Sequence, residues 1–349
     1  MSFPITNRPF LVHGFLVHGW RLLAVALALL VANPAAADPE RWKLAWPDTD
    51  FAKHSVDLRS IRSGGPPKDG IPSIDNPTFV PVSEASDLAA KEPVISLDVA
   101  GDARAYPLRV LMWHEIVNDM VGGVPVAVTY CPLCNAAIVF DRELGDQVLD
   151  FGTTGNLRKS DLVMYDRQTE SWWQQYTGDA IVGELTGQTL TLRASRLTSW
   201  ERFQEAHPEG QVLVPNDPRS RHYGVNPYVG YDTRPAPFRY SGELPEGIAP
   251  LERVVAVGNR AWSFEYLQAV RTVDAGDFVI TWEPGQASAL DANMVALGRD
   301  VGNILVQTKE SPPKDVPHHV TFAFVFHAFQ PDADIVLGAP FERGVGDDV

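Results

Sequence analysis

From Val94 onward, apolar residues fall in short runs separated by Gly, Pro, Asn and Asp, with little of the spacing that marks one face of a helix. Val94–Val99, Val124–Tyr130, Ala136–Phe140, Val148–Phe151, Leu162–Tyr165 and Leu190–Leu192 predict strands. Few helices are expected. Pro107 opens one through Leu108–Glu115, because its preset φ suits a first turn and its missing N–H costs nothing there. Thr198-Ser199-Trp200-Glu201 resembles a capping box for a second helix, to about Ala206. Residues 38–93 are irregular and rich in Pro and Gly, yet Trp42, Trp46 and Phe79 need somewhere to pack, so this lead-in is read as ordered. The pattern predicts a β-rich α+β fold.

The order of elements then repeats. Val94–Leu108 parallels Val254–Phe264 as strand, Gly turn and aromatic-bearing strand; Val126–Ala137 parallels Phe278–Ala289; Thr198–Pro208 parallels Thr321–Pro331. Two related tandem halves are expected, at 94–240 and 252–349, joined through Ser241 to Leu251. The second is shorter, with Glu283 and Gln286 where the first has Cys131 and Cys134.

Residues 1–37 read as a secretory signal. Arg8 and Arg21 supply positive charge, Leu22 to Ala32 is apolar but short of a comfortable membrane span, and Pro34-Ala35-Ala36-Ala37 offers small residues for cleavage. The Phe-Leu-Val-His-Gly duplicated at 10–14 and 15–19 lies in this leader, so His13 and His18 are not site candidates. A periplasmic or secreted chain, with no membrane span once cleaved near Ala37, is the expectation. The net charge of −15 argues against nucleic acid and anionic lipid surfaces as partners. A small molecule or a periplasmic protein is expected instead.

In that setting the two cysteines become the centre of interest. Cys131 and Cys134 stand in Tyr130-Cys131-Pro132-Leu133-Cys134-Asn135. So short a loop is a poor staple, because closing it removes little unfolded-chain entropy. Strands are expected on both sides, with Asn135 able to take the left-handed conformation, which is the geometry of a metal knuckle. Two thiolates need further ligands. His114 is the expected third, for zinc or copper(I); Glu115, its neighbour on another helix face, is not expected to meet the same ion. A thiol–disulfide couple, with Cys131 attacking and Cys134 resolving, is the alternative. A third reading is a non-enzymatic binding module, with the aromatics of Trp172–Tyr176 and Tyr223–Tyr231 as its surface.

Glu115, Tyr130, Asn135, Asp161, Trp172, His222 and Tyr223 are the candidate pocket residues around this motif. The Gly152–Ser160 stretch, with Arg158 and Lys159, lacks a Walker pattern and predicts no nucleotide cofactor. Taken together, Trp113-His114-Glu115-Ile116-Val117-Asn118-Asp119, the cysteine motif with Phe140-Asp141-Arg142, Ser160-Asp161-Leu162-Val163-Met164-Tyr165-Asp166-Arg167, Gly178 to Gly187, Trp200 with His207-Pro208, and Tyr223 to Asp232 resemble the domain of unknown function 3179 family. These span Val94 to Asp232. The resemblance implies an exported bacterial protein and implies no activity.

Overall fold

The computed structural model describes residues 39–338; the expected signal segment lies outside them. Strands dominate and helices are short, as the runs and turns require. Five sheets of three to five strands sit in a propeller-like arrangement, with a further two-stranded ribbon at Glu143–Leu144 and Gln147–Val148.

Two of these sheets share strand order and sense. In the first, Arg196–Ser199 lies antiparallel to Pro93–Val99, which pairs with Asp102–Pro107, and Gln211–Val214 runs parallel to that strand. In the second, His319–Phe322, Arg253–Val257, Arg260–Ser263 and Asp334–Val336 repeat that order and those senses. Each hairpin feeds a seven-residue helix, Leu108–His114 or Phe264–Val270. Each helix ends on a residue of positive φ, Glu115 at 58° and Arg271 at 67°. The carbonyl oxygens of these two residues accept equivalent bonds of 2.8 Å, from the N–H of Tyr130 and of Trp282.

Each set of strands also clasps the hairpin or sheet that follows the helix of the other. Phe322 N–H and Thr321 Oγ1 donate to the Cys134 carbonyl at 3.0 and 2.9 Å. Reciprocally, Ser199 N–H and Thr198 Oγ1 donate to Asn303 Oδ1 at 2.7 and 3.1 Å. Apolar packing is continuous across the clasp: Tyr130, Phe140 and Trp173 share a buried cluster with Trp282, Phe322 and Phe324. The described residues belong to a single compact unit.

The lead-in is ordered and contributes strands of its own. Thr78–Pro81 pairs with Gln211–Val214, and Ile61–Ser63 with Phe151–Arg158. Trp46 packs edge-on to Trp172 at 5.2 Å, and Phe79 to Tyr106 at 5.7 Å. The expected capping box is replaced. The helix runs Trp200–Ala206 with Ser199 at its N-cap making no side-chain bond. Lead-in carbonyls of Glu92 and Ala90 take the N–H groups of Trp200 and Glu201 instead.

Candidate functional site

The cysteine motif is a hairpin turn. Val124–Cys131 pairs with Ala136–Asp141 up to Cys131 opposite Ala136, and Cys134 N–H returns to the Cys131 carbonyl at 3.1 Å. Asn135 closes the turn at φ 50°, the left-handed role foreseen for it. Both cysteines are free and buried, Cys134 wholly so.

A second hairpin delivers the third group. Phe151–Arg158 and Asp161–Asp166 are joined by Lys159 and Ser160, both at positive φ, the two-residue turn that matches strand twist. Asp161 emerges at its inner end. The two sulfurs and a carboxylate oxygen of Asp161 all lie within 4.8 Å of one another. Cys134 Sγ donates to the Ser160 carbonyl at 3.5 Å. Asp161 Oδ2 accepts from Gln174 Nε2 at 2.6 Å and Tyr176 N–H at 2.9 Å, while Oδ1 is buried without a partner, as is the Tyr176 hydroxyl.

Burial sets the protonation of this cluster. It raises the Cys131 thiol, and it raises Cys134 further, where the Cys131 sulfur adds to the effect. It pushes the Asp161 carboxyl up to about 6 against the pull of its hydrogen bonds. Glu115 joins the group electrostatically: burial, then the Asp161 charge, push its carboxyl up to about 8. Gln174 links Arg158 to Asp161 by hydrogen bonds, its Oε1 accepting from Arg158 Nη1 at 3.1 Å. Raised thiols are the reverse of what an attacking cysteine needs.

Glu115 also borders a cavity of about 350 Å³, walled by Leu133, Leu162, Tyr228, Tyr231 and Phe238. The Tyr231 hydroxyl donates to the Leu133 carbonyl at 3.1 Å, fixing that wall to the cysteine turn.

The structure separates His114 from the cysteines. Its Nδ1 meets the Pro72 carbonyl at 2.8 Å and its Nε2 meets the Tyr223 hydroxyl at 2.7 Å, with the two rings stacked. Both nitrogens are occupied, and Asp161 stands in the place expected for His114 in the donor cluster. The positive φ of Glu115 turns that residue, and not its neighbour, toward the cysteines. Tyr130 is buried beside the motif and shares a 3.3 Å bond with Asn135 Oδ1. Trp172 lies in a separate apolar cluster with Trp46 and Phe51, and His222 is exposed. The Trp172–Tyr176 aromatics therefore form core, not a surface. Tyr228, among the Tyr223–Tyr231 aromatics expected at a binding surface, does line the cavity, whereas Gln174, which holds Asp161, sits in an aromatic run whose sequence signal lies in its rings.

The family described as "Protein of unknown function (DUF3179)" matches residues 68–333. The chain belongs to the DUF3179 family. The match is wider than Val94–Asp232, so the first set of strands and all of the second except Asp334–Val336 fall inside the family region of this DUF3179 chain. No curated protein and no solved structure matches it. Among the described residues, no helix is long and apolar enough to cross a membrane.

Proposed function

We propose that this chain is a metal-binding protein that holds zinc, in preference to copper(I), through Cys131, Cys134 and Asp161. One observation carries the reading: two thiols and a carboxylate converge within 4.8 Å in a buried site. Burying acidic groups together without a cation is costly, and a bound cation relieves that cost. Asp161 Oδ1 is buried with no nitrogen or oxygen donor beside it, so the thiols and a bound cation are what can satisfy that carboxylate. A hard carboxylate beside two soft thiolates suits borderline zinc better than copper(I). Three protein ligands leave a fourth position, as in zinc sites that act on substrates, and Glu115 borders both the cluster and the cavity.

The test is metal content by mass spectrometry of protein recovered without chelator, beside the Cys131→Ser/Cys134→Ser variant. Near-stoichiometric zinc in the parent and its loss in the variant are expected. Equal metal in both proteins overturns the assignment.

Two further readings accompany this one. The N-terminal segment supports export, for which a mature N-terminus at Asp38 in the periplasmic fraction is expected; an intact leader in the cytoplasm would refute it. The shared strand order and the equivalent bonds at Glu115 and Arg271 support an ancestral duplication. One half then keeps the chemistry while the other, with Arg271, Glu283 and Gln286, scaffolds it. Relatives whose two segments fail to align with each other would count against that history.

A further inference from the structure

The Lys159–Ser160 turn has a second side. A cavity of about 350 Å³ opens there, separate from the one at Glu115, and Arg62, Lys159, Arg239 and His327 line it with Ser241. Such a grouping runs against the composition, since the chain has 44 acidic residues against 29 lysines and arginines. Many arginines elsewhere are matched to carboxylates, as in Arg104 with Asp102 and Asp119, Arg109 with Glu92, and Arg253 with Asp232. Among the described residues, Arg62, Lys159 and Arg239 form no ion pair. Glu243 is the one carboxylate in the cavity wall among the described residues.

The cationic heads are held without being neutralised. Lys159 Nζ donates to the Ala328 carbonyl and lies 4.9 Å over the Phe329 ring; Arg239 donates to the Ser63 carbonyl and lies 5.3 Å over Phe238. Fixed donors around a concave space are how proteins recognise phosphate and carboxylate groups.

We propose that this cavity binds a compact oxyanion bearing at least two negative charges. The site is independent of the metal reading, although it lies close by: the Ser160 carbonyl that accepts from Cys134 belongs to the same turn.

The experiment is calorimetric titration of the full mature chain with pyrophosphate and, separately, citrate, at low and physiological salt. Saturable binding that weakens with salt is expected. Lys159→Met and Arg62→Glu should each raise Kd about tenfold or more, the usual loss of a charge-assisted hydrogen bond. Arg62 is exposed on its strand, so its variant keeps the proposal testable should Lys159→Met fail to fold. Arg219→Glu, an equal charge change on the exposed loop that carries Tyr223, should leave Kd unchanged. Binding of pyrophosphate alone identifies a phosphate ligand, and of citrate alone a polycarboxylate; either supports the site. Absence of binding to both, or equal weakening by Arg219→Glu, overturns it. Cys131→Ser/Cys134→Ser should bind the anion normally, so the two proposals fail separately.

Discussion

Replacing Glu115 by Gln tests the buried cluster through its protons. The residue is 7% exposed at the end of its helix, and its carboxyl is pushed from 4.5 to about 8 by burial and by Asp161. An acid that holds its proton more tightly when folded supports the fold at low pH, and that support is lost as pH rises toward the folded value. In metal-free protein, Glu115 alone therefore lowers stability by about 1.4 kcal/mol for each pH unit above its unfolded value. At pH 7 this amounts to roughly 3 kcal/mol relative to the fully protonated state. Gln keeps the shape and removes the titration. Glu115→Gln should thus stabilise the metal-free chain by about 3 kcal/mol at pH 7 and by close to nothing at pH 4. Urea unfolding of both proteins in chelator, at each pH from 4 to 8, reads the difference directly. A difference independent of pH, or one that shrinks as pH rises, would refute the account of Glu115 as a buried acid coupled to Asp161.

Other outcomes follow from the same geometry. Zinc affinity, measured by competition with a chromophoric chelator, should rise with pH through 6 to 8, because the thiols and Asp161 must lose protons to ligate. Asp161→Asn should lower that affinity by more than the ~10–100-fold typical of removing a group that merely supports a ligand. Arg253→Met removes one of the two arginines on the fully buried Asp232 carboxylate, which keeps Arg299 at 2.9 Å and Ser288 at 2.6 Å, at a cost of about 2 kcal/mol in a denaturant titration. Gly155→Ala would place a Cβ 2.0 Å from the Pro66 carbonyl at a φ of 73°; a loss of about 2 kcal/mol or more is expected, with faster proteolysis within residues 64–70.

Much of the local structure can be read from neighbouring residues. The run Val124–Tyr130, the turn at Cys131–Asn135 and the helix behind Pro107 each depend on pattern and φ preference within a few positions. These determined a β-rich chain with its cysteines on a knuckle. Which groups face the cysteines depends on contacts no local rule contains. His114 and Glu115 are adjacent at one helix end, and a single positive φ turns Glu115 inward while His114 meets Pro72 and Tyr223. Asp161 reaches the sulfurs because a second hairpin packs its turn against the first. The knuckle itself is held from far along the chain, by Thr321 and Phe322 on the Cys134 carbonyl. Strand and turn preferences act through bonds to the next few residues, so the sequence displays them. The ligand set arises from burial and packing between distant segments, and only the folded chain decides it.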